Sequence, residues 1–213
     1  FAEKNNIDPK KMSVVSVMPC VAKKFENSRP EMEADGLRDV DAVITTRELA
    51  RMIDRAGLKF TALPNEEGHT ADWKINGEAV IFGVTGGVME AALRTANDVL
   101  TGKDNKELEF HEVRGTDGLK EATYNIAGMD IKVCVASGAA NAKKVMDKIA
   151  KGEADWTFVE IMGCPGGCVN GGGQPIQPQY VRDTVDLKAV RAKALYDQDE
   201  AMEMRKSHLN PTI

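Results

Sequence analysis

Residues 160–175 read EIMGCPGGCVNGGGQP and hold two of the chain's four cysteines, Cys164 and Cys168, with six glycines in sixteen positions. The apolar run at 157–162 predicts a buried strand feeding this loop. Cysteine sulfur is a soft ligand that suits iron–sulfur clusters, zinc or copper(I). Glycine admits positive φ and lets the backbone approach something bulky, with N–H groups able to point at an anion. A plain Gly-rich surface turn with incidental thiols is the rival reading, but such turns rarely follow an apolar strand. Zinc pairs usually sit closer, as Cys-x2-Cys, so three intervening residues lean toward a cluster.

Working outward, 13–18 is a β-branched run, expected as a buried strand that Pro19 stops, which leaves Cys20 at its C-terminal end. In open α/β sheets ligands collect at that end. Residues 41–45 predict a second strand, and Thr45-x-x-Glu48 is a capping box opening a helix over 47–56, with Gly57 as its stop. Leu49, Met52 and Ile53 repeat at helical spacing and should face the core. A polar loop at 64–77 closes on the turn signal Asn76-Gly77. Residues 79–83 read as a third strand, running through Val84-Thr85-Gly86-Gly87 into a helix to about Leu100, with Met89, Ala92, Leu93 and Leu100 along one face. Gly86 and Gly87 at that helix start expose N–H groups and a positive dipole end, a site for an anion.

Further strands are expected at 110–114, 122–126 and 131–135, the last two a hairpin turning at 128–130. A helix over 139–150 ends at Gly152, and a charged helical segment at 185–206 should present a solvated face. Residues 1–12 read as the end of a helix. The alternation predicts an α/β class with mixed sheets.

The 213 residues are 42% hydrophobic and 29% charged, as in an ordinary globular protein, and suffice for one large domain or two small lobes. A net charge of −5 gives no support to a nucleic-acid or anionic-membrane role. No apolar run approaches the roughly 18–20 residues of a membrane span. Four scattered cysteines do not make a disulfide framework. Cys134, mid-strand between Val133 and Val135, reads as a core residue. His69, His111 and His208 form no metal pattern, and no phosphate loop, dinucleotide fingerprint or Ser/His/Asp set occurs.

Residues 160–175 are similar to a signature of the iron-only ([FeFe]) hydrogenases, ExMxCxxGCxxGGGQP, at every fixed position. A second signature, MPCxxKxxE, appears as residues 18–26, and FGxTGGVMEAALR matches residues 82–94. The segment Gly68-His69-Thr70-Ala71-Asp72-Trp73 departs from the Gly-Glu-Ser-like segment that relatives usually carry there. A TSCCPxW-like first signature has no match.

The resemblance implies two lobes of mixed β-sheet flanked by helices, with the cofactor between them: residues 1–62 belong to the first lobe and 63–213 to the second. It implies an H-cluster, a [4Fe–4S] cube joined to a diiron subcluster with CO, cyanide and a bridging dithiolate amine. Cys20, Cys164 and Cys168 are then cube ligands, and Cys168 bridges to the diiron site. Lys23 would hold a cyanide, Glu26 would pair with Lys23 or steady its loop, and Met18 and Met162 would wall the pocket. Gly86, Gly87, Gly167 and Gly172 would bring backbone close to the cofactor. The fourth cube cysteine and a proton-relay cysteine belong to the unmatched signature, so an upstream segment or subunit is expected to supply them. The implied activity is reversible reduction of protons to H2, with ferredoxin or a similar carrier as electron partner and maturation factors to load the metal. A cytoplasmic place is expected, with a periplasmic one open. The rival readings are a related iron–sulfur assembly or redox-sensing protein without diiron chemistry and, more weakly, a structural zinc module.

Overall fold

The computed structural model describes residues 1–64 and 75–211. They divide between two units, Phe1–Glu67 with Gly171–Gln177, and Gly68–Asn170 with Pro178–Ile213. A seven-residue return to the first unit leaves no local signal, because long-range packing alone decides it. The segment at 68–73 lies outside the described residues.

In the first unit, β1 (Val15–Met18) pairs in parallel with β4 (Ala42–Thr45), with Met18 beside Thr45. Between them come α1 (Lys23–Glu26) and the small antiparallel pair β2 (Glu33–Ala34) and β3 (Leu37–Arg38). Helix α2 (Thr46–Arg55) opens on the expected capping box: Thr45 Oγ1 accepts from the Glu48 N–H, and Glu48 accepts from the Thr45 N–H at 2.7 Å. The Lys24 ammonium, with the Thr45 N–H and hydroxyl, holds the Glu48 carboxyl down at about 2. Two expectations need correction. β1 is not buried, since Val15 and Val17 are 55% and 42% exposed, and Met52 on α2 is 55% exposed. Two paired strands and short helices cannot cover both faces of β1. Residues 1–12 hold a short 3-10 turn at Pro9–Lys11, which Asp8 caps, rather than the end of an α-helix.

In the second unit, 79–83 is not a strand. Asn76 Oδ1 accepts the Ala79 N–H at 2.8 Å, so the Asn-Gly pair caps a short helix, α3 (Gly77–Ile81). A brief apolar run cannot tell strand from buried helix by periodicity. Helix α4 (Gly87–Thr101) follows, and the expected strand at 110–114 is a 3-10 turn at His111–Val113. Strands β5 (Leu119–Ile126) and β6 (Met129–Ser137) form the hairpin, turning at Ala127 and Gly128, both with positive φ. Helix α5 (Ala139–Ala150) crosses over to β7 (Phe158–Met162), parallel to β6. The sheet order is β5-β6-β7. One face of β6 packs Val133 and Val135 with Met89, Leu93, Phe110 and Val113. The other packs Cys134 and Ala136 with Val145. Burial on both faces explains why 133–136 is unbroken by polar residues.

Helix α6 (Gln179–Thr184) precedes the charged segment at 185–206, whose helical part is α7 (Leu187–Ala201). That segment is not solvated throughout. Asp199 is fully buried and accepts from Arg94 Nη2 at 2.8 Å, while the same guanidinium reaches Glu90 at 2.7 Å and the Arg205 carbonyl through Nη1 at 3.0 Å. Leu100, expected along the core face of α4, is 47% exposed and does not join the core. Lys206 and His208 both reach Asp98 and fasten the tail to α4.

Candidate metal centre

The cysteine loop leaves β7 after Met162 and is tied down within the second unit. Gly138 donates to the Met162 carbonyl at 2.8 Å, Gly166 to Ser137 Oγ at 3.0 Å, and Gly167 to the Cys164 carbonyl at 2.9 Å. The Thr85 N–H donates to Gly166 O at 3.2 Å and the Val169 N–H to Gly83 O at 2.9 Å. Gly167 has φ +97°, and a Cβ there would stand 2.6 Å from Thr85 N, so only glycine lets the loop lie against that turn. Gly166, also at positive φ, is buried, whereas Cys164 and Cys168 are half-buried.

The helix start at Gly86 and Gly87 does hold an anion, and the anion is the chain's own. Glu160 accepts the Gly86 N–H at 2.6 Å and the Met89 N–H at 2.8 Å. Its carboxylate meets the positive end of α4, where such a charge is favoured. Gly86 and Gly87 are needed for space instead. A Cβ on Gly86 would come within 1.9 Å of the Val113 carbonyl oxygen, and one on Gly87 within 1.8 Å of the Ile81 carbonyl oxygen. Glu160 lies 74 positions from Gly86, so no local sequence signal reveals the pairing.

In the first unit Met18 ends β1, and Cys20 follows it, half-buried. Lys23 Nζ donates to Glu26 Oε2 at 2.6 Å, with both side chains about two-fifths exposed at 41%. Gly173 donates to the Pro19 carbonyl at 3.1 Å, and Thr46 Oγ1 donates to the Gly173 carbonyl at 2.7 Å. A Cβ at Gly173 would lie 2.6 Å from Cys20 N, and one at Gly172 3.1 Å from Val21 Cγ2. Arg47 Nη1 donates to Gln174 O at 2.8 Å. The Gly-Gly-Gly-Gln run thus seats against the MPC turn.

Cys134 is fully buried, and burial pushes its thiol up to about 11, which makes it a core residue. His111 stays exposed, and His208 has the structural task described above. Among the described residues no three His, Cys, Asp or Glu side chains form a group able to hold a single metal ion. A cluster ligated at several irons has looser demands, and half-exposed thiols on glycine loops suit it. Beside the loop, the buried Thr85 Oγ1 has no hydrogen-bond partner among the described residues. By the chemistry of their sulfurs, Cys164 and Cys168 on one loop and Cys20 on the other are each suited to thiolate ligation of iron.

The sequence model described as "Iron only hydrogenase large subunit, C-terminal domain" matches residues 1–172. The chain belongs to this iron-only hydrogenase family. It is 49% identical over 210 residues to iron hydrogenase 1 of Clostridium pasteurianum, covering 98% of this chain and 36% of that protein. It is 52% identical over 193 residues to the periplasmic [Fe] hydrogenase large subunit of Nitratidesulfovibrio vulgaris, covering 91% and 46%. The solved [FeFe]-hydrogenase HydA1 of Chlamydomonas reinhardtii, in a variant form, superposes with a TM-score of 0.76 at 37% identity, covering 99% of this chain and 59% of that one. The mixed α/β fold is therefore that of these hydrogenases. The chain is also similar to a different kind of protein: cytosolic iron-sulfur assembly component 3 of Mus musculus is 33% identical, over 82% of this chain and 38% of that protein. The chain spans between about a third and a half of the curated hydrogenases it matches. Among the described residues no helix is long and apolar enough to cross a membrane.

Proposed function

We propose that this chain is the part of an [FeFe] hydrogenase that carries three thiolate ligands of the H-cluster, in a protein that reversibly reduces protons to H2. The observation that supports this reading is the seating of Gly173 against Pro19 and Cys20, which sets the GGGQP end of one hydrogenase signature on the MPC turn of another within the first unit. Cys20, Cys164 and Cys168 would hold the [4Fe–4S] cube, with the sulfur of Cys168 shared with the diiron subcluster. When bound, the diiron site supplies the metal at which protons and electrons combine, and the cube supplies the electrons. Lys23 offers a compact charge with three donors, suited to fixing an anionic cyanide, while Glu26 orients it through the 2.6 Å pair. Met18 and Met162 offer polarisable, apolar walls that exclude water. Gly167 and Gly172 keep side chains out of the space beside the two loops. Glu160 sets the direction of the cysteine loop through its hold on α4. Electrons would come from ferredoxin or a similar carrier, and maturation factors would load the site.

The 33% identity to an iron–sulfur assembly component favours a second reading, a cluster protein without diiron chemistry. Infrared spectroscopy on the protein carrying this chain, matured anaerobically, separates the two. Cyanide and carbonyl bands together with H2 evolution from a reduced dye are the expected result. Iron without those bands would establish the assembly or sensing reading, and zinc alone would overturn both.

A further inference from the structure

Lys120 on β5 is 8% exposed, and its ammonium donates to the carbonyls of Thr85 and Gly115, both at 2.8 Å. Among the described residues no carboxylate accepts from it. Glu160, the anion nearest in effect, has both oxygens engaged by Gly86 and Met89. Glu160 and Asp117 act on it through charge, yet its hydrogen bonds go to neutral oxygens, and further negative charge nearby would ease the cost of its burial. The contacts of Thr85 tie it to the cysteine loop. Thr85 turns its carbonyl to Lys120 and its N–H to Gly166 O, and a Cβ on Gly167 would strike the same residue. One residue thus links the ammonium to the loop between Cys164 and Cys168. That same Thr85 carries the buried hydroxyl that has no partner among the described residues.

We infer that Lys120 is a positioning residue for the cysteine loop, and that its buried charge makes a thiolate-bound centre on that loop easier to reduce. The inference rests on the proposed metal centre. Thiolate ligation leaves a cluster negatively charged, and each one-electron reduction adds a further negative charge, so a fixed cation favours the reduced form. The carbonyls of Thr85 and Gly115 hold the ammonium, and the peptide of Thr85 passes the constraint on to Gly166.

The test compares the wild-type protein carrying this chain with K120R, which keeps the charge, and K120Q, which keeps a donor and loses it. Each is loaded anaerobically with iron and sulfide, and the cluster is followed by electron paramagnetic resonance during a redox titration. K120Q is expected to move the one-electron equilibrium about tenfold toward the oxidised form, about 59 mV, with K120R close to wild type. Hydrogen exchange at Thr85 and Val169 on the metal-free proteins is the second readout, and K120Q should speed it by about tenfold. Unchanged exchange or an unchanged potential in K120Q would overturn the inference. Wild-type protein that takes up no cluster would instead overturn the metal centre itself, while the exchange comparison would still decide whether Lys120 holds the loop.

Discussion

Gly173 and Pro19, more than a hundred and fifty positions apart, are joined by a 3.1 Å hydrogen bond from the glycine N–H to the proline carbonyl. The contact is so close that the next peptide, Cys20 N, would lie 2.6 Å from any Cβ placed on Gly173. Backbone meets backbone here, and no side chain can give way.

Gly173→Ala is therefore expected to destabilise the first unit by about 1–3 kcal/mol, the usual cost of overpacking. It should also lower the iron content of the matured protein by displacing Cys20. Gly163→Ala is the control, because no atom lies within 4 Å of its added Cβ. It should stay within about 0.5 kcal/mol of wild type. Urea unfolding and metal analysis of both variants check this.

Glu160→Gln keeps the shape but loses the charge that Gly86 and Met89 donate to. Charge-assisted bonds to a helix start are stronger than neutral ones, so a loss of about 1–3 kcal/mol is expected, read from the denaturant midpoint at constant slope. A variant as stable as wild type would show that the α4 terminus tolerates a neutral acceptor.

Lys23→Met removes the cation paired with Glu26. The expected outcome is a protein that keeps the electron paramagnetic resonance signal of the cube and loses the cyanide bands in the infrared. Retention of those bands and of H2 evolution would make Lys23 a surface lysine.

Cys134 should resist alkylation. With its thiol pushed up to about 11 and no exposed surface, it stays protonated and shielded at pH 8. Iodoacetamide on the metal-free chain, followed by peptide mass spectrometry, should label Cys20, Cys164 and Cys168 first and reach Cys134 only after denaturation.

Burial pulls the Lys120 ammonium down to about 8 against an ordinary 10.5, although Glu160 and Asp117 oppose the shift. Between those two values the unfolded chain holds a proton that the folded one has released. Folding stability should therefore gain from Lys120 as pH rises from about 8 to 10.5, and this gain fades as pH falls back through 8. Denaturant unfolding across that window, with K120Q as the reference, should show a steeper rise in wild type than in the variant.

Much of this was legible in local sequence. Thr45 and Glu48 announce α2 because a capping box is a three-residue device. The bounds of α5 follow from Ser137-Gly138 and Gly152. The strand feeding the cysteines is where its apolar run places it, although Phe158 and Ile161 are 43% and 47% exposed rather than buried. What stayed hidden depends on partners far along the chain. Nothing near Glu160 says that its carboxylate caps α4, and nothing near Arg94 says that it enters a buried network with Asp199. Asn76-Gly77 misled for a different reason, since a turn-forming pair also serves as a helix cap. In the first unit, Val15 and Val17 have the composition of a core strand, and composition does not reveal what covers it.

The allocation of Gly171–Gln177 to the first unit has a consequence for anyone dividing the protein. A gene cut after Glu67 would encode that unit without the strip on which Pro19, Thr46 and Arg47 close. The severed piece would behave as a receptor missing its peptide. Residues 171–177 added in trans would then act as a ligand, and their saturation could be titrated like that of any small molecule.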